Sequence, residues 1–160
     1  MNGTVPAAFP ARLDVRGFFE GRTQAWGMVI DRRGRALRRF TVSIEGRVSG
    51  NELVLDESFL FDDGAIDQRI WTIACSDDGL AGRARDVVGT AHGQIDGPAL
   101  SWRYELMLPV GKHTFRVAFD DLMVMADEET LLSRAVIRKF GLRMAEVVIA
   151  FRRARLPLAA

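Results

Sequence analysis

The stretch from Glu52 to Ile73, ELVLDESFLFDDGAIDQRIWTI, decides the fold. Two runs of alternating apolar and polar residues flank Asp62-Asp63-Gly64. Successive strand side chains point to opposite faces, so Leu53, Leu55, Glu57, Phe59 and Phe61 share one face. The turn admits two registers. A three-residue loop with Gly64 in the left-handed region sets Leu53 against Ile73, Leu55 against Trp71 and Glu57 against Arg69. A two-residue Asp-Gly loop would oppose Asp56 to Trp71 and leave Glu57 beside Ile70. A slip of one residue moves the whole apolar set to the other face. The three-residue register matches apolar with apolar and acid with base, and is the one expected.

The same texture extends outward in both directions. Short alternating runs recur near 23–30, 37–45, 52–61, 65–75, 80–85, 89–95, 99–108, 113–119 and 145–152, punctuated by Gly, Asp and Asn. That spacing is the signature of an all-β sandwich or barrel. In one strand Leu100, Trp102, Tyr104, Leu106 and Leu108 share a face, and Phe115, Val117 and Phe119 do so in the next. Residues 127–141 fit either a helix closed by Gly141 or a strand with Leu132, Arg134, Val136 and Arg138 on one face. Periodicity leaves both open, and the neighbouring strands favour the second. The expected architecture is an antiparallel β-barrel of eight to ten strands with little helix. Residues 1–12 are expected as a flexible arm, and 13–155 as a single barrel domain.

Composition narrows the function. The chain has 160 residues, 48% hydrophobic and 27% charged, with a net charge of +1. A length like this favours one domain. It can bury roughly 70% of its unfolded surface without staples. Almost all the positive charge is Arg, since Lys112 and Lys139 are the only lysines. With one cysteine, Cys75, an internal disulfide and a cysteine-rich zinc cluster are both excluded. Cys75 follows an apolar strand and reads as a packed small hydrophobe. No run reaches the 18 or so apolar residues of a membrane span. The first ten residues lack the pattern of a signal peptide, so a cytoplasmic location is expected. A basic face interleaved with exposed aromatics is missing, which argues against nucleic acid. G-x-S-x-G, P-loop, G-x-G-x-x-G and H-E-x-x-H motifs are absent, and neither metal nor cofactor is expected.

Several motifs together resemble a known family. They are Phe18-Phe19-Glu20-Gly21 with Ala25-Trp26-Gly27, Glu57-Ser58-Phe59-Leu60-Phe61-Asp62-Asp63-Gly64 and Arg69-Ile70-Trp71-Thr72-Ile73. Asp86-Val87-Val88-Gly89-Thr90-Ala91-His92-Gly93, Trp102-Arg103-Tyr104, Phe119-Asp120-Asp121-Leu122-Met123 and Lys139-Phe140-Gly141 complete the set. They span about residues 14–152 and resemble the uncharacterised bacterial family called domain of unknown function 3833. The resemblance implies a lipocalin-like barrel. Many members look like lipoproteins; this chain departs from that pattern, lacking a lipid-attachment cysteine near its start. Members are often encoded beside lipid-modifying enzymes, which implies a lipid connection and a lipid-modifying enzyme as a partner. The family supplies no catalytic residues to carry over.

The candidate site follows from charges placed among large apolar groups. Glu57 and Arg69 lie on faces shared with Phe59, Trp71 and Tyr104, and an unpaired charge there is costly. Either they form a structural ion pair near the rim, or Arg69 holds a carboxylate or phosphate head group with Glu57 orienting it. Trp26, Trp71, Trp102 and Tyr104 either line a ligand cavity or simply pack. Trp26 near the start and Arg152 and Arg153 near the end would suit a lipocalin-like stacking of Arg over Trp. Small residues Gly82, Ala84, Ala91 and Gly93 either leave room for a ligand or allow tight packing. Arg32, Arg33, Arg35, Arg38 and Arg39 surround a Gly34 turn and read as a solvated hairpin tip rather than a site on anionic lipid.

Three functions are consistent with these residues. The first is a lipocalin-like binding protein for an apolar or fatty-acyl ligand, with Glu57, Phe59, Arg69, Trp71, Trp102, Tyr104 and Trp26 as its binding residues. The second is an enzyme acting on such a ligand, with Glu57, Arg69, Tyr104 or Asp121 supplying proton transfer or anion stabilisation. The third is a non-catalytic accessory of a lipid-modifying enzyme. Binding without catalysis is the expected function.

Overall fold

The computed structural model describes residues 9–154. Most of the expected arm, and residue 155 at the expected domain end, lie outside them. Ten antiparallel strands follow one another: β1 (Gly21–Asp31), β2 (Ala36–Ser49), β3 (Glu52–Phe61), β4 (Ile66–Cys75) and β5 (Gly79–Arg83) form the first half. The second half is β6 (Val87–Asp96), β7 (Ala99–Val110), β8 (His113–Asp127), β9 (Thr130–Lys139) and β10 (Leu142–Arg153). Each strand pairs with its sequence neighbours, and β1 pairs with β10, placing Ala25 opposite Phe151. The result is a closed lipocalin-like barrel with no free sheet edge, the arrangement that removes exposed strand edges altogether.

The β3–β4 hairpin has the expected three-residue register: Leu53 faces Ile73, Leu55 faces Trp71 and Glu57 faces Arg69. Gly64 takes φ 86°, and its N–H donates to the Phe61 carbonyl at 2.9 Å. The ambiguous segment 127–141 resolves as strand β9, with Leu131, Ser133 and Ala135 buried and Leu132 exposed. β8 extends well past the expected end at 119. The Asp120-Asp121 pair hides its continuation, because Asp120 points outward to Arg103 and Arg138 while Asp121 points in.

A short helix, α1 (Val15–Phe19), precedes β1 and was not anticipated. Asp14 caps it, its side chain accepting from the Gly17 N–H at 3.1 Å, which satisfies a donor that the first helical turn leaves free. Val15, Phe18 and Phe19 are buried, and Phe19 packs edge-on against Phe151. Bonds from the approach to α1 fasten this element across one barrel end. Arg12 reaches Asp78, the Leu13 N–H donates to the Gly97 carbonyl, and Arg16 donates to the Gly50 carbonyl. All three acceptors lie in turns of that same end. The opposite end, formed by the β1–β2, β3–β4, β5–β6, β7–β8 and β9–β10 turns, has no such plug among the described residues.

Candidate functional site

Inward positions of the strands surround a cavity of about 720 Å³. It runs from Val15 and Phe19 on α1 to Leu37, Ile66 and Pro109 at the unplugged end. Phe59, Trp71, Trp102 and Tyr104 line it, as the alternation of β3, β4 and β7 requires. The aromatics are ordered by mutual contact. Trp71 meets Trp102 and Tyr104 edge-on at 5.4 and 5.3 Å, and Tyr104 stacks on Phe119 at 5.0 Å. Across the lumen Phe40, Phe59 and Phe61 form a second group with centroids 5.6–6.2 Å apart. The small residues of β5 and β6 serve packing. A Cβ on Gly82 or Gly93 would lie 2.6 Å from the Trp102 ring, so these glycines let the indole lie against the wall.

Trp26 does not belong to this set. It lies on the outer face of β1, half exposed, opposite Ala150 and Thr41. The alternation places it outward because its neighbour Ala25 is fully buried. Arg152 pairs in register with Gln24, and the Arg-over-Trp contact does not form among the described residues.

Arg38, over Phe61, and Asp67 line the mouth and Ser133 the wall, and one cluster of polar groups sits deeper in the apolar lining. Glu57 and Arg69 are cross-strand neighbours, but the expected ion pair between them is not the one formed. Arg69 pairs instead with Asp86, donating from Nε at 3.1 and 3.2 Å and from Nη2 at 2.9 Å. The reason is local. β5 ends at Arg83, level with Thr72, so the upper part of β4 has no β5 partner. The β5–β6 turn then brings Asp86 alongside Arg69. Nη1 of Arg69 makes no hydrogen bond among the described residues. The guanidinium lies 5.6 Å from the Phe59 centroid.

Glu57 is left within the lumen, beside the Trp71 indole, whose N–H favours the charged form of its carboxyl. Its remaining accessible surface faces the cavity. Burial pushes its carboxyl up to about 7, against the opposing charge of Arg69. Asp121, on β8, is likewise pushed up to about 7, by burial first and by Asp120 second. Burial and the Asp121 charge hold the Tyr104 hydroxyl well above its ordinary range. This cluster therefore contains one committed ion pair, two carboxyls balanced between charged and neutral near neutral pH, and a phenol that stays protonated. These groups can hydrogen-bond an acidic or hydroxylic head group and exchange a proton with it. Asp86 is the residue that sequence reading missed. Its place in Asp86-Val87-Val88 marks a turn, and only the shortness of β5 brings it to Arg69. Cys75 is buried at the plugged end and burial raises its thiol, in keeping with a packing role. Among the described residues no cluster of His, Cys, Asp and Glu could hold a metal ion. No helix among them is long and apolar enough to cross a membrane.

The family model described as "Protein of unknown function (DUF3833)" matches residues 7–153. The chain belongs to the DUF3833 family. No curated protein matches this DUF3833 chain. Among solved structures it is similar to a protein of unknown function from the DUF3598 family of Nostoc punctiforme, with a TM-score of 0.68 at 13% identity. That match covers 96% of the DUF3833 chain, which spans about half (54%) of the Nostoc protein. It is also similar to the S-type phycobiliprotein lyase CPES of Guillardia theta, with a TM-score of 0.66 at 7% identity, covering 90% of this chain and 94% of that one. At such identities the likeness is one of fold.

Proposed function

We propose that the protein binds an apolar, lipid-like molecule with an acidic head group inside the barrel. The observation that carries this reading is the lumen itself. A cavity of about 720 Å³ is too large to be a packing defect, and it falls within the roughly 300–1,000 Å³ typical of small-molecule sites. Its walls supply apolar contact at about 25 cal/mol per Å² buried, less the cost of immobilising the ligand. Glu57, Arg69 and Tyr104 supply the few polar contacts that fix orientation, with Phe59, Trp71 and Trp102 as walls. The solved lyase of the same fold supports a barrel that handles a small molecule or a partner protein. The family resemblance supports a lipid-modifying enzyme as the source or recipient of the ligand.

The head group's charge is conditional. Asp86 already neutralises Arg69, so a bound carboxylate is favoured only while Glu57 and Asp121 carry protons. Affinity for an anionic ligand should fall as pH rises through about 7, and that of the matching alcohol should change little. Titration of tryptophan fluorescence with a long-chain fatty acid and with its alcohol tests both points. Arg69→Leu should weaken the acid more than the alcohol. Equal loss for both ligands, or no saturable binding of either at micromolar concentration, would remove this reading.

A second reading, catalysis on the bound ligand, is favoured by one observation: Glu57 and Asp121 both titrate near neutrality beside a protonated Tyr104. Strongly shifted groups in a cavity mark candidate acid–base residues. Glu57→Gln separates the two readings. It should abolish turnover of a co-purifying molecule if the site is catalytic, and leave binding intact if it is not.

A further inference from the structure

The unplugged end of the barrel combines two features that the cavity does not require. The first is charge. Its turns carry Arg32, Arg33, Lys112 and Lys139, none of whose side chains forms an ion pair among the described residues, whereas, of the nearby acids, Asp31, Asp62 and Asp63 are each paired with an arginine and Asp67 alone is not. The turns of the plugged end carry Asp77, Asp78, Asp96, Glu128 and Glu129, and the same end also carries Arg12, which pairs with Asp78, and Arg16, Arg152 and Arg153. A net charge of only +1 thus conceals a mouth at which cations without ion pairs are gathered, while the charges of the plugged end are mixed in sign.

The second feature is a set of apolar tips on the same rim. Ile66 is 80% exposed and Phe140 90%, with Leu37, Val110 and Leu142 also exposed. Phe140 is the more telling. With φ 54° it is the only non-glycine residue of positive φ among the described residues, and Gly141 follows at φ 75°. This is a two-residue hairpin turn with both φ positive, where Asn or Gly is the usual first residue and a bulky side chain is strained. A turn optimised for stability would not place phenylalanine there with its ring in solvent. Strain retained at an exposed position points to use. Lys139 lies against the same patch, its Nζ 3.4 Å from the Phe115 centroid and 5.3 Å from that of Phe140. Cations flanking exposed aromatic and aliphatic tips match the boundary between phosphate head groups and acyl chains.

We propose that the mouth docks on an anionic phospholipid surface, with Phe140 and Ile66 entering the head-group boundary and Arg32, Arg33, Lys112 and Lys139 facing the phosphates. The mouth orients the barrel, because it combines cations without ion pairs with exposed apolar tips, whereas the plugged end mixes both signs of charge. Docking in this pose sets the cavity opening against the bilayer. This goes beyond ligand binding, and is measured without a soluble ligand.

Co-sedimentation with vesicles is the test, comparing phosphatidylglycerol mixed with phosphatidylcholine against pure phosphatidylcholine at low salt. Binding is expected to the mixed vesicles, weakening as salt screens the contact. Neutralising one surface cation costs roughly 5-fold in partitioning, so Arg32→Gln with Arg33→Gln should lose about 25-fold. Arg152→Gln with Arg153→Gln removes the same charge at the plugged end and should leave binding within about 2-fold. Phe140→Asn separates binding from folding. It relieves the turn, so melting temperature should hold or rise while vesicle binding falls. The proposal is overturned by absence of binding to the mixed vesicles, or by equal loss in the two arginine pairs, which would mean a response to net charge alone. Unchanged binding by Phe140→Asn overturns the insertion of the tip. A vesicle-free dimer that Phe140→Asn dissolves would assign the patch to a second copy and overturn the membrane assignment.

Discussion

Arg69 and Asp86 form the ion pair on which the upper wall depends. Arg69 is 15% exposed and Asp86 28%, so removing the acid strands a largely buried cation. Asp86→Ala should cost about 3 kcal/mol, the lower end for breaking a buried pair, whereas Arg69→Met combined with Asp86→Leu should be nearly neutral. Denaturant midpoints of the three variants check this, and additive losses would show that the two residues are uncoupled. Glu57 behaves differently because it has no committed partner. Its folded carboxyl sits near 7, above the ordinary value of 4.5, and Asp121 likewise sits near 7, above 3.8. A raised carboxyl means that the folded state binds more protons, so stability falls as pH rises between these limits and stays lost above them. Between about pH 4 and pH 7, Glu57 accounts for up to about 3 kcal/mol and Asp121 for up to about 4 kcal/mol. The lowered carboxyls Asp31, Asp63 and Asp127 act in the opposite sense, but only below about pH 4. Urea unfolding should therefore show the wild type more stable at about pH 5 than at about pH 8, with the difference reduced in Glu57→Gln. Higher stability at the alkaline point would contradict the assigned environment. The sequence placed Glu57 and Arg69 side by side, because alternation and turn chemistry are local. It could not reveal Asp86, whose approach depends on where β5 stops.

At the scale of strands and turns, alternation carried the β3–β4 register and the inward face of β7, while periodicity left the strand character of β9 open and it followed only from the neighbouring strands. Alternation failed where a rule was broken for a reason. Asp120 and Asp121 interrupt β8 because one serves the outer surface and the other the lumen. The helix α1 is a five-residue plug, too short for a periodic signal to stand out. Trp26 was misplaced because its size outweighed its parity with Ala25. Gly82 and Gly93 show how packing fixes an element: each lets the Trp102 ring contact the sheet. Gly93→Ala should destabilise by about 1–3 kcal/mol through overpacking and shift the Trp102 emission. Because Gly93 has ordinary backbone angles, the loss would come from the ring contact and not from φ. A Gly93→Ala variant as stable as the wild type would mean that Trp102 can move freely into the lumen, leaving that wall soft.

Across the whole molecule, closure of ten strands around an unfilled interior distinguishes this barrel from a packed one. The sequence signalled strands of the right kind and number, but closure depends on β1 meeting β10, a contact between the chain's two ends that no local pattern encodes. The plug at one end and the basic, apolar-tipped mouth at the other give the barrel a single direction of access. The central claim is that this interior receives an acyl chain. It is tested most directly by quenching with dibrominated stearic acid in a Trp26→Phe background, where only Trp71 and Trp102 remain to report. Both line the lumen, and bromine quenches only at contact. Saturable, one-to-one quenching at micromolar concentration, competed away by unlabelled fatty acid, is the predicted result. Quenching that rises linearly without saturation, or none at all, would contradict it.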